Sequence, residues 1–398
     1  MVCASATFAD VREINFLEAH SVVKSKRIGT GMLTGVLILS VLVAPPIAGA
    51  VGDSAATTPA AVAQSEGATP SVYWGAYLGA RPEDTRALDT FEELANKRMA
   101  IIQSGQPWFR RGSYVPFQAS YFQTIRDRGA IPLLDWAAWD TCCGSEQPQF
   151  QLRSIALGAH DAYLTEWARA AKAWKHPFFL RLNPEMNGWW SPWSEQANGN
   201  VPGESIAAWR HIVDLFRAQG ATNATWVWCP NIEGQFSTPL DQLYPGDDYV
   251  DWTCMDGYNW GTDRNNSWQT FRQVFSGSNY NGGQDTYNDL LTLAPSKPIM
   301  IGETASSENG GSKGPWITQA LGDDLLTRYP QVKALLWFNW NANDPNLGWN
   351  IDSSPEAQAA FADAIAQPAY AANNYKNLSV SPIPPPDALV TAASEPAP

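Results

Sequence analysis

Two glutamates in similar settings are the residues of this chain best equipped for chemistry. Glu185 follows the apolar run Phe178-Phe179-Leu180 in the stretch P-F-F-L-R-L-N-P-E-M-N-G-W-W-S-P-W, residues 177–193. Arg181, Asn183, Asn187 and the indoles of Trp189, Trp190 and Trp193 surround it in sequence. Glu303 closes a second apolar run, Lys297-Pro298-Ile299-Met300-Ile301-Gly302-Glu303-Thr304. Two carboxyl groups at the ends of buried strands can divide the cleavage of a glycosidic bond. One gives a proton to the departing oxygen; the other attacks the sugar or activates water. The proton donor must be partly desolvated to hold its proton near neutral pH, and flat indole faces stack on the apolar faces of sugar rings. A single strand-end glutamate is commonly structural. A pair of them, in a chain with 19 tryptophans among 398 residues, points to a saccharide-cleaving cleft.

Such a pair needs a scaffold that delivers strand ends to one face. Apolar runs begin near Val72, Met99, Ile131, Phe178, Thr225, Val250, Ile299 and Ala334. Between them lie segments of helical period: Pro82 to Asn96, Ile155 to Trp174 and Ser205 to Ala218. Several of these end on glycine, as in Arg128-Gly129 and Gln219-Gly220. Strands alternating with helices in this number predict an α/β fold, a (β/α)8 TIM barrel forming a single catalytic domain over 71–370. No G-x-G-x-x-G follows the first strand, which counts against a dinucleotide fold. Barrel chemistry sits at the C-terminal ends of strands. Glu185 follows the fourth run and Glu303 ends the seventh. Trp74, Asp135-Trp136, Trp139, Asn231, Asp256-Gly257-Tyr258 and the stretch Trp337 to Trp340 are expected on the same rim.

Composition narrows the partners. A net charge of −13 disfavours nucleic acid and anionic membrane surfaces. Lys24, Lys26 and Arg27 precede an apolar run from Gly31 to Ala44 and an A-x-A end at Ala48-Gly49-Ala50. Residues 1–50 therefore read as an extension plus a secretory signal, giving a secreted protein with no membrane association after cleavage. Residues 51–70 read as a disordered linker, and 371–398, rich in Pro and Ala, as a disordered and dispensable tail. The domain retains Cys142, Cys143, Cys229 and Cys254, an even number suited to disulfides. Cys229 and Cys254 lie on neighbouring strands and are the expected pair. Cys142 and Cys143 compete for either of them and are not expected to bridge to each other, because a vicinal bridge strains the intervening peptide. The four histidines show no ligand spacing, so no metal and no cofactor are expected. The absence of G-x-S-x-G argues against a serine hydrolase. A non-catalytic carbohydrate-binding barrel would keep the tryptophans but has no need of two strand-end glutamates.

With the glutamates on the fourth and seventh strands, residues 70–368 resemble glycoside hydrolase family 26, the β-mannanase family of the 4/7 barrel clan. The shared motifs are R-x-x-x-E-M-N-G-x-W from Arg181 to Trp190, D-G-Y from Asp256 to Tyr258, I-G-E ending at Glu303, and the eighth-strand Trp337. The resemblance implies a retaining endo-β-glycanase with Glu185 as acid/base and Glu303 as nucleophile. It also implies that Arg181, Trp190, Asp256, Tyr258 and Trp337 line the substrate site, that the partner is a polysaccharide or oligosaccharide, and that the protein works as a monomer. One departure bears on the substrate. Pro184 stands where family mannanases place a histidine directly before the acid/base, with Asn183 one step further back. The substrate is thus expected among β-1,4-mannan, which is favoured, β-1,3-1,4-glucan and β-1,3-xylan.

Overall fold

Eight of the apolar runs form parallel strands: β1 Tyr73–Tyr77, β2 Ile101–Arg110, β3 Ile131–Asp140, β4 Phe178–Leu182, β5 Ala224–Trp228, β6 Trp252–Asp256, β7 Ile299–Thr304 and β8 Val332–Phe338. Each pairs with the next in chain order, and β1 pairs with both β2 (Gly75↔Ile101) and β8 (Gly75↔Leu336), so the sheet closes. A two-residue strand, Ser113–Tyr114, folds back antiparallel on the end of β2. The computed structural model describes residues 71–263, 266–277, 284–341 and 344–389. The extension and signal expected at 1–50 and the linker expected at 51–70 lie outside the described residues.

The strands read as near-continuous apolar runs because both faces are covered. Residues pointing inward fill the barrel, and those pointing outward meet the helices. The outer layer absorbs much of the tryptophan. Trp136 stacks on Trp167 with ring centroids 4.4 Å apart, and Trp167 in turn packs on Phe178 and Phe216. Trp74 meets Phe361 of the last barrel helix, Pro355–Ile365. Trp74 and Trp136 are thus core residues, not rim residues as their sequence positions suggested. The helical segment expected at Ile155 to Trp174 is two helices, Leu152–Ala156 and Asp161–Trp174. Between them Gly158 adopts φ +85°, a left-handed turn that breaks the first helix.

Cys229 and Cys254 are bonded across β5 and β6, with Cα atoms 4.2 Å apart. The expectation for the other two cysteines is corrected: Cys142 and Cys143 bridge to each other. Both lie in the exposed turn after β3, whereas Cys229 and Cys254 are fully buried and already paired. Position leaves the neighbours only each other.

The tail expectation is corrected for residues 371–389; residues 390–398 lie outside the described residues. Residues 371–389 cross the N-terminal floor of the barrel. Trp252 Nε1 donates to Ile383 O at 2.8 Å, Ile383 N donates to Thr225 Oγ1 at 2.9 Å, and Tyr73 Oη donates to Pro384 O at 2.9 Å. Tyr375 packs edge-on against Tyr73, and Ile383 is buried. Composition misled because prolines carry no N–H that needs a partner. A proline-rich strap can therefore lie on an apolar floor while its carbonyls take up the buried donors beneath. Removing residues 371–398 should lower the melting temperature by about 5–10 °C, since several buried polar groups lose partners at about 1 kcal/mol or more each. A calorimetric midpoint within 2 °C of the intact chain would show the strap to be dispensable.

Candidate active site

The turn from β4 carries the first carboxyl group. Asn183 and Glu185 both adopt left-handed backbone, φ +43° and +59°, on either side of Pro184. Such conformations are strained for residues with a Cβ and persist only where the surroundings hold them. Here Asn183 Oδ1 accepts from Ala138 N at 2.9 Å, Glu185 N donates to Cys229 O at 2.7 Å, and Trp193 Nε1 donates to Pro184 O at 2.7 Å. The turn is thereby tied to β3, to the residue after β5 and to its own downstream loop. Both oxygens of Glu185 accept hydrogen bonds: Oε2 from Trp190 Nε1 at 3.0 Å and Oε1 from Asn231 Nδ2 at 2.6 Å. Trp190 reaches back because residue 188 is glycine; a Cβ there would stand 2.5 Å from the indole. Asn231 is fixed by a reciprocal pair with Asn187, Nδ2 to Asn231 O and Asn231 N to Oδ1, each at 2.8 Å.

The second carboxyl group sits in a different environment. Glu303, buried near the end of β7, accepts from Arg181 Nη1 at 2.7 Å and from the phenol of Tyr258. A guanidinium and a phenol facing one carboxylate stabilise its anion. Arg181 is 0% exposed and also pairs with Asp135 at 3.0 Å and with Asp256. Three carboxyl groups therefore surround one guanidinium. Burial alone would lower the Arg181 pKa, but Asp135, Asp256 and Glu303 together raise it above its ordinary value. Burial pushes the Asp135 carboxyl up to about 6, with Arg181 opposing and Glu303 adding to the rise. Gln103 Nε2 holds its other oxygen at 2.9 Å. Gly302 permits this density, for a Cβ there would meet Cys254 Sγ at 2.6 Å and Asp256 Oδ1 at 2.8 Å.

Glu185, with Trp190 bonded to it, and Glu303, with Tyr258 bonded to it, stand at the C-terminal ends of β4 and β7. Three expectations change. Arg181 and Asp256 are wholly buried; Arg181 bonds to Glu303, and Asp256 bonds to Arg181 behind it. Trp337 is 0% exposed and points outward, packing on Phe361 and Trp316 and donating to Trp349 O at 2.9 Å. Strand alternation is the reason: its neighbour Phe338 takes the inward side, stacking on Tyr77 at 5.0 Å. The half-buried indoles at the mouth are those of Trp189, Trp190, Trp260 and Trp340. Gln103 was not singled out from sequence, and only its hydrogen bond to Asp135 across the fold reveals it. Among the described residues, the cysteines that approach acidic side chains, beside Asp140 and beside Asp256, are all in disulfides.

Comparison with known proteins bears on the family and the fold. Residues 86–281 match the family profile Glycosyl hydrolase family 26. Endoglucanase H of Acetivibrio thermocellus is 38% identical over 300 residues, 73% of this chain; the chain spans 30% of that relative's length. Among solved structures, a GH26 β-mannanase from Bacteroides ovatus superposes with a TM-score of 0.53 at 18% identity, over 77% of this chain and 93% of that one. The YdhT protein from Bacillus subtilis gives 0.53 at 19%, over 74% and 86%. A ruminal GH26 endo-β-1,4-mannanase gives 0.55 at 15%, over 78% and 66%. At these identities the structural likeness is one of fold.

Proposed function

This chain belongs to glycosyl hydrolase family 26; from that premise we propose that it is a retaining glycoside hydrolase that cuts within β-linked polysaccharide chains outside the cell, as a monomer. Glu303 is the nucleophile and Glu185 the acid/base. The contrast between the two carboxyl groups carries the reading: one is locked by a guanidinium and a phenol, the other is held by an indole and an amide at the mouth. In the first step a Glu303 oxygen bonds to the anomeric carbon while the bond to the departing oxygen breaks, and that oxygen takes the Glu185 proton. In the second, Glu185 takes a proton from water, whose oxygen displaces Glu303 and regenerates both groups. Action outside the cell is supported by the basic-then-apolar segment before residue 50 and by the two disulfides. Among the described residues no helix is long and apolar enough to cross a membrane.

β-1,4-Mannan is the first substrate proposed, being the backbone acted on by the ruminal enzyme of the same family. A second reading, a β-glucan, has a specific observation behind it. The relative named Endoglucanase H is 38% identical to this chain, against 15–18% for the two mannanases. Pro184 also offers no side-chain donor beside the acid/base, and the amide oxygen of Asn183 is turned to Ala138 N. Mannose and glucose differ at the 2-hydroxyl, where a missing donor weighs on discrimination. Initial rates on β-1,4-mannan, mixed-linkage β-glucan and β-1,3-xylan, with product sizing and NMR of the first anomer released, test both. At least tenfold preference for one backbone, with β-anomeric oligosaccharides appearing first, is expected. First release of the α-anomer would overturn retention, and monosaccharide as sole product would overturn internal cleavage.

A further inference from the structure

Phe236 is 65% exposed, more than any other aromatic side chain among the described residues. It lies beyond β5, on the same end of the barrel as both glutamates, and a phenyl ring left in water forfeits most of the free energy its burial would give. The segment beneath it is well tied. Gln196 Nε2 donates to Phe236 O at 2.8 Å and to Thr238 Oγ1 at 3.0 Å, and Ser237 N donates to Gly234 O at 3.0 Å. Thr238 N donates to Asn187 O at 2.8 Å, which joins the turn to the loop bearing Glu185. That loop also presents Trp189 and Trp190, half-buried and edge-to-face at 5.5 Å.

The mouth has two sides. Glu303 stands with Tyr258, and the inward rings Tyr77 and Phe338 lie beside it, on β1, β8 and the end of β6. The sugar attacked by Glu303 belongs on that side. The departing sugar, protonated by Glu185, belongs toward the loops after β4 and β5, where Phe236 stands. One residue, Met186, lies between Glu185 and Asn187, and one, Ser237, between Phe236 and Thr238, so each pair of Cα atoms is at most about 7 Å apart.

We propose that Phe236 is a stacking platform for the leaving-group chain, binding the apolar face of a pyranose ring beyond the sugar that Glu185 protonates. The proposal rests on the β-glycanase reading above. An exposed ring on a backbone hydrogen-bonded to the acid/base loop fits a sugar face, and such stacking can recur along a repeating chain.

The test compares two substrates for the native protein, Phe236→Ala and Phe236→Trp. One is the polysaccharide that the native protein cuts fastest, mannan or mixed-linkage β-glucan. The other is a 2,4-dinitrophenyl β-disaccharide of the same sugar, whose leaving group has no pyranose to stack. Phe236→Ala should lower kcat/KM on the polysaccharide about three- to tenfold, change it at most about twofold on the aryl glycoside, and shorten the oligosaccharides bound on the leaving side. Phe236→Trp should restore the polysaccharide rate. Equal losses on both substrates, or no loss on the polysaccharide, would overturn the platform while leaving the β-glycanase reading intact. A native protein that cut neither substrate would overturn the reading and the platform with it.

Discussion

Glu303→Gln should abolish turnover on every β-linked substrate, natural or activated, by on the order of 10⁴-fold or more, the scale on which removing an enzyme's nucleophile acts. The amide keeps the shape of the carboxylate but cannot form a glycosyl ester, so no leaving group, however good, restores the first step. The fold should survive. Arg181 keeps Asp135 and Asp256 as partners, so its charge is not left alone in the interior. The measurement is the release of 2,4-dinitrophenolate: the native protein forms its intermediate in each turnover, and the variant releases nothing above background, with a melting curve close to native. A variant within tenfold of the native rate would remove Glu303 from the mechanism.

Glu185→Gln should instead divide the two classes of substrate. On a polysaccharide the departing oxygen needs a proton, and losing the donor should slow hydrolysis about 10²–10⁴-fold. On a 2,4-dinitrophenyl glycoside the leaving group needs none, so the first step proceeds and the glycosyl ester on Glu303 accumulates, because no base activates water for the second. A burst of dinitrophenolate followed by slow turnover is the expected trace. Azide should speed the slow phase and yield the β-glycosyl azide, since a small anion attacks without a base and from the face that restores the original configuration. The hydrogen bonds at Glu185 sharpen the expectation. Trp190 and Asn231 donate to its two oxygens, and in the glutamine variant the amide nitrogen faces one of these donors. Some misplacement of Trp190 should therefore appear as a raised KM on the polysaccharide, where the first step limits turnover, whereas accumulation of the ester lowers KM on the aryl glycoside. An α-glycosyl azide, or the same fractional loss on both substrate classes, would show that Glu185 is not the acid/base.

Much of the site was legible because its chemistry is written locally. A short apolar run ending in a carboxylate is a property of a few consecutive residues, and two such runs in a strand-helix alternation place both carboxylates at one end of a barrel. The spacing from Arg181 to Trp190 likewise fixes a strand followed by a tight loop, and the strand starts fall within two residues of where apolarity begins. The disulfide between Cys229 and Cys254 followed from the same alternation, since adjacent strands of a parallel barrel bring like positions together.

What sequence alone could not decide were the directions of side chains and the destinations of hydrogen bonds. Trp337 and Phe338 are neighbours, yet one faces the helices and the other the barrel; the pleat decides which, and the local phase of a strand shifts with each irregularity, such as the one between β7 and β8 after Ile301. Arg181 carries the composition of a ligand-binding residue, but only closure of the barrel sets Asp135, Asp256 and Glu303 around it and turns it into a buried counter-ion. The proline-rich end reads as unstructured because apolar density within one segment is too low to fold it alone. Its stability comes from donors on β1 and β6 that it satisfies, Tyr73 and Trp252, and those lie more than a hundred residues away. The chain by itself determined the elements and the candidate reacting groups, since both rest on near neighbours in sequence. Tertiary structure decided which groups meet substrate and which support them, since that depends on contacts that exist only once the barrel has closed.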